Sequence, residues 1–100
     1  MKNEISDETT DRLAEAFLAL KTKDDVLAFF DDVMTIAEIK ALAQRLEVAE
    51  MLGEKVSYSD ITEKTGASTA TISRVNRCLR YGSGGYRKVL ERFGEQKSDK

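Results

Sequence analysis

Apolar residues in this chain recur at intervals of three and four, and no Val, Ile or Thr run alternates with polar residues over a strand's length. That period lines one face of a helix, not one face of a sheet. Proline is absent, so nothing of that kind breaks the pattern. The expectation is an all-α chain of six helices.

Their starts and stops are marked locally. Ser6 is the expected cap of a first helix with Leu13, Phe17 and Leu20 on one face. Thr22 and Asp25 have the capping-box spacing and open a short second helix that buries Val26, Leu27, Phe30 and Val33. Thr35 and Glu38 repeat the device at the head of the longest helix. It carries Ile39, Leu42, Leu46 and Ala49, reaches about Leu52, and stops at Gly53. Ser57 with Asp60 opens a fourth helix, which Gly66 ends. Ser68 caps a fifth, expected to reach Leu79 or Tyr81. The run Gly82-Ser83-Gly84-Gly85 breaks the pattern before a last helix, Tyr86 to Phe93, with Val89, Leu90 and Phe93 to pack. Residues 1–94 are expected as a single helical domain and 95–100 as a disordered tail.

Composition narrows the function classes. One hundred residues, 41% hydrophobic and 34% charged, fit one small soluble domain. No apolar run approaches the roughly 20 residues that span a bilayer, and the opening MKNEISDETTD is no secretory signal, so a cytoplasmic protein with no membrane partner is expected. Histidine is absent and cysteine occurs once, as Cys78, which leaves neither an ordinary zinc site nor a disulfide within the chain. No nucleotide-loop or serine-hydrolase pattern occurs. The expectation is no enzyme, no metal and no cofactor.

The net charge of −2 conceals a step. Residues 1–65 hold 8 Lys/Arg against 15 Asp/Glu, and residues 66–100 hold 8 against 3. A basic third on an acidic body suits a polyanion-binding face, and charge counts alone fit a solvated surface as well.

The step falls inside "KTGASTATISR", Lys64 to Arg74. Two short helices joined by a glycine-containing turn of three or four residues make a helix-turn-helix, here at about 57–80. Gly66 suits the left-handed turn. Ile61, Ile72 and Val75 are spaced to pack the pair, which leaves Ser68, Thr69, Thr71, Ser73, Arg74 and Arg77 outward. Small hydroxyl residues at a helix start can reach base edges or phosphates, and arginines add charge. An ordinary αα-hairpin capped by Gly66 is the plainer alternative, but such a hairpin has no need of Arg74, Arg77, Arg80, Arg87 and Lys88 beside it.

The span from Met34 to Leu79 resembles the tryptophan-repressor family, in particular its YerC/YecD branch. The resemblance rests on "MTIAEIKALAQRLEVAEML" and on "YSDITEKTGASTATISRVNRCL". It implies an intertwined homodimer that binds double-stranded operator DNA through paired helix-turn-helix units, in the geometry long described for Trp repressor. It also implies a ligand pocket. Thr35, Arg45 and Arg74 match residues of that pocket. Val75 stands where the tryptophan-binding members have glycine, and Cys78 where they have serine. A branched side chain and a weak hydrogen-bond partner argue against tryptophan as effector. Arg45 also reads as a surface ion-pair residue, and Val75 and Cys78 as core. The stretch Arg80 to Arg87 departs from the family and reads either as a phosphate-contacting loop or as a connection.

The leading expectation is a homodimeric, sequence-specific transcriptional regulator of the repressor type. The alternative is a helical protein-interaction module that keeps the fold without operator binding. RNA binding is disfavoured, since only Tyr81 and Tyr86 lie near the basic region.

Overall fold

A computed structural model describes residues 7–98. All the regular structure among them is helical: α1 (Glu8–Ala19), α2 (Lys23–Val33), α3 (Ile36–Gly53), α4 (Tyr58–Thr65), α5 (Thr69–Tyr81) and α6 (Gly85–Ser98). The chain divides into two compact units, one ending at Ile39 and the other beginning at Lys40.

In the first unit Asp7, not Ser6, caps α1. Its carboxylate accepts from the Thr10 backbone N–H at 2.8 Å and from the Thr9 hydroxyl at 2.9 Å. The Thr10 N–H, ahead of the Thr9 hydroxyl, holds the Asp7 carboxyl below its ordinary value. Ser6 lies outside the described residues. At the head of α2 the Thr22 hydroxyl accepts from the Asp25 N–H at 3.0 Å, and the Asp25 carboxylate accepts from the Lys21 N–H at 3.2 Å. Thr35 and Glu38 form the full reciprocal box, at 2.9 and 3.1 Å. Phe17 stands edge-on to Phe29, with ring centroids 5.6 Å apart, and also meets Phe30.

The expected burial of α1 and α2 does not occur within one chain. Leu13, Phe17, Leu27 and Val33 are exposed, Leu20, Val26 and Phe30 are half-buried, and no residue of either helix is fully buried. Helices of 12 and 11 residues have wider apolar stripes than one short neighbour covers. Leu18, 85% exposed, and Ile36, 72% exposed, extend this surface.

The second unit has a true core of Val48, Ala49, Ile61, Ala67, Ile72 and Val75. Met51, Leu52, Val56, Tyr86 and Leu90 are half-buried around it. Each Ile or Val so buried contributes about 1.5–3 kcal/mol. On α3 the buried pair is Val48 and Ala49, with Leu46 half-buried and Leu42 exposed. The expected stripe therefore captures only part of the core face, because α3 is apolar on more than one side. α3 ends at Gly53, as expected. The reversal that follows is made by Lys55, at φ 65°, with the Val56 N–H donating to the Met51 carbonyl and the Lys55 N–H to the Leu52 carbonyl, each at 3.0 Å. This is the Schellman arrangement.

α6 starts at Gly85 and continues to Ser98, past the expected end at Phe93. Glu95 to Lys97 are good helix formers, and no proline stops them. Residues 99 and 100 lie outside the described residues.

Candidate nucleic-acid interface

The stretch from Lys64 to Arg74 is a turn between two capped helices. At the end of α4, Gly66 takes φ 77° and its N–H donates to the Thr62 carbonyl at 2.8 Å. The Thr65 hydroxyl donates to the Ile61 carbonyl at 2.8 Å and accepts from the Ala67 N–H at 3.0 Å. The Gln44 side-chain amide of α3 donates to the Thr65 carbonyl at 3.1 Å. Three residues, Gly66 to Ser68, thus separate the helices. Ile61, Ala67, Ile72 and Val75 close the inside of the pair. Ala67 carries no signal in the sequence, because a buried residue within a polar turn belongs to no periodic pattern.

The outer face belongs to α5. Ser68 caps it, accepting from the Thr71 N–H at 3.1 Å and donating its hydroxyl hydrogen to the Thr71 hydroxyl oxygen at 3.2 Å. Thr71, expected outward, is half-buried, whereas Ser68, Thr69, Ser73, Arg74 and Arg77 are exposed. All six expected residues therefore sit on the first three turns of one helix or its cap. The helix start adds partial positive charge to that of the two arginines. Farther along, Asn76 joins the Tyr58 hydroxyl to the Arg80 guanidinium, both contacts 3.3 Å, so α4 and α5 are also tied on their exposed side.

The expected ligand-pocket residues are described one by one. Thr35 belongs to the first unit, where it caps α3. Val75 is core, 2% exposed. Cys78 is exposed, which corrects its reading as core. Arg45 is exposed too, and forms no ion pair among the described residues. Arg45, Arg74 and Cys78 all act electrostatically on one further residue, Tyr86. Burial, and next the adjoining Cys78, push the Tyr86 phenol up, while Arg45 and Arg74 pull it down less strongly. Tyr86, Cys78, Leu46, Val89 and the linker residues Gly82, Ser83 and Gly85 line a hollow of about 580 Å³.

The linker itself is closely fitted. Gly82 donates its N–H to the Cys78 carbonyl at 2.8 Å, and a Cβ there would stand 2.4 Å from that oxygen. The Arg87 guanidinium reaches back to the Leu79 and Arg80 carbonyls, each at 2.9 Å.

This architecture has known counterparts. The family model for the Trp repressor protein matches residues 8–94. The uncharacterized protein YerC of Bacillus subtilis (strain 168) is 52% identical over 89 residues, 89% of this chain and 86% of its own length. The crystal structure of a TrpR-like protein from Eubacterium eligens ATCC 27750 superposes with a TM-score of 0.88 at 55% identity, over 93% of this chain and 96% of that one. A Trp-repressor candidate from Staphylococcus aureus gives 0.87 at 41% identity, over 94% and 95% of the two chains. The chain is therefore a member of the Trp repressor family of DNA-binding transcriptional regulators, on the side of that family where YerC and the TrpR-like proteins lie.

Proposed function

We propose that this protein is a homodimeric, sequence-specific regulator that places α5 in the major groove of operator DNA. The observation that carries the reading is the helix pair itself. Gly66 turns the chain in the left-handed conformation, the inside of the pair is fully apolar, and the outside presents Thr69, Ser73, Arg74 and Arg77. Arginines held this way neutralise phosphates whatever the sequence, and short hydroxyl side chains at the helix start read base edges. Ser68 and Thr71 act chiefly by holding that start in place, since each already bonds to the other.

The second copy is the cover for α1, α2 and the outer side of α3. Leu13, Leu18, Leu27, Ile36 and Leu42 are too many apolar side chains for a chain of this size to leave in water. Pairing about a two-fold axis buries the same patch on both partners and sets two recognition helices at a fixed spacing.

Tryptophan is not the proposed effector, because Val75 is committed to the core.

Fluorescence anisotropy on a labelled duplex of mixed sequence, followed by selection of preferred duplexes, tests the reading. Binding that weakens steeply with salt, with a selected duplex preferred by at least about a thousandfold, is expected for a specific regulator. Absence of DNA binding would favour a protein-interaction module.

A further inference from the structure

The last four carbonyls of any helix lack intrahelical partners. In α5 these belong to Cys78, Leu79, Arg80 and Tyr81. Gly82 satisfies the first through its own N–H. The next two are taken by a single side chain, Arg87, from the first turn of α6. Its Nε donates to the Leu79 carbonyl and its Nη2 to the Arg80 carbonyl, both at 2.9 Å. The planar guanidinium offers two parallel N–H groups at a fixed spacing, and its charge complements the negative end of the helix.

The neighbouring residue works on the other side. Tyr86 packs against the core cluster that includes Ile72 and Val75 of α5, and it lines one hollow with Cys78, about one turn before the end of α5. Consecutive residues of α6 therefore hold α5 from two directions, Tyr86 by packing and Arg87 by hydrogen bonding. Gly82 makes the close return possible, since any side chain there would run into the Cys78 carbonyl.

We propose that the α5–α6 linker is a clasp in which Arg87 is a positioning residue for the recognition helix, fixing its C-terminal turns by capping the Leu79 and Arg80 carbonyls and making no contact with DNA phosphate. The inference rests on the reading of α5 as the DNA-recognition helix. It assigns Arg87 a different role from Arg74 and Arg77. Two of its N–H groups are already spent on backbone, so its contribution to DNA binding passes through the placement of α5.

Three proteins separate the possibilities: the unmodified chain, Arg87→Gln and Arg87→Lys. Two readouts are needed, the salt dependence of duplex binding and the hydrogen exchange of the backbone amides at 79–82. The clasp predicts that both variants lose affinity by about fivefold while the slope of log K against log salt stays that of the unmodified protein. It also predicts exchange at 79–82 faster by about fivefold in both, because a lysine ammonium is a point charge that cannot span two carbonyls. A slope smaller by about one unit in Arg87→Gln, with affinity kept in Arg87→Lys and exchange unchanged, makes Arg87 a phosphate contact and overturns the proposal. Faster exchange with unaltered affinity overturns it as well, because α5 would then be positioned by other means. If the unmodified protein binds no duplex, the DNA-binding reading fails on its own, and unchanged exchange in the variants would be needed to remove the clasp too.

Discussion

The side-chain amide of Gln44, in the middle of α3, donates a hydrogen bond to the backbone carbonyl of Thr65 at 3.1 Å, and so ties the longest helix to the turn of the helix-turn-helix. The carbonyl is one of those left unpaired at the end of α4. Replacing Gln44 by Ala strands it in a half-buried place. The expected cost is about 1 kcal/mol. In a domain of this size that lowers the melting temperature by about 4–8 °C, which differential scanning calorimetry would read directly. An unchanged melting temperature would mean that water replaces the amide without loss.

Two glycines should respond to substitution for different reasons. At Gly66 a Cβ meets nothing within 4 Å, but φ is 77°. The cost there is conformational, so Gly66→Val should lose more than about 1 kcal/mol, while Gly66→Asn should lose little, since asparagine visits this region readily. At Gly82 φ is ordinary, but a Cβ would lie 2.4 Å from the Cys78 carbonyl oxygen. Gly82→Ala and Gly82→Asn should therefore be about equally harmful. Urea unfolding of the four variants tests the contrast. Rescue by asparagine at Gly82 would contradict it.

The apolar surface before Gly53 leads to a prediction about assembly. Leu42 is 47% exposed in the single chain, yet lies on a helix that is apolar on more than one side. Leu42→Asp should abolish dimerisation, because an unpaired carboxylate would be buried at the seam. Analytical ultracentrifugation at micromolar concentration reads the outcome. A well-folded monomer in the unmodified protein would contradict the dimer.

Tyr86 gives the ligand question a spectroscopic handle. Its phenol is pushed up from the ordinary value of 10.0 by burial and by Cys78, against the smaller opposite pull of Arg45 and Arg74. A raised acid favours the protonated form in the folded state. Its contribution to stability is thus complete below the unfolded phenol value and disappears as pH rises through the folded one. Alkaline titration of phenolate absorbance should show a late component that is lost in Tyr86→Phe. Calorimetry with L-tryptophan should give no binding tighter than millimolar in the unmodified protein. Micromolar binding would show that the Tyr86 neighbourhood is open to an indole.

What the sequence disclosed, and what it hid, divides by distance along the chain. The caps at Thr22, Thr35, Ser57 and Ser68 are legible because each is a side chain bonding to a backbone three residues on. Gly66 is legible because few other residues tolerate its conformation. Ile61, Ile72 and Val75 follow from periodicity across a short turn. The sequence does not separate Asp7, the observed cap, from Ser6, because both residue types make good caps. The exposure of Leu27 and Val33 was hidden for another reason: periodicity identifies an apolar face but not what covers it. Tyr86 and Arg87 are legible as neighbours of the basic region, but their contacts with α5 are not. Their partners lie back across a glycine-rich linker, and no spacing rule connects an arginine to two carbonyls seven and eight residues earlier.

The central claim is that the outer face of α5 binds DNA, with arginine supplying charge and threonine supplying discrimination. The most direct measurement is the binding of the unmodified protein, Arg77→Ala and Thr69→Ala to a selected and a mixed-sequence duplex at two salt concentrations. Arg77→Ala should weaken both duplexes alike and reduce the salt slope by about one unit. Thr69→Ala should leave the slope unchanged and shrink the preference for the selected duplex. If both variants bind both duplexes as the unmodified protein does, this face of α5 does not touch DNA and the account is wrong.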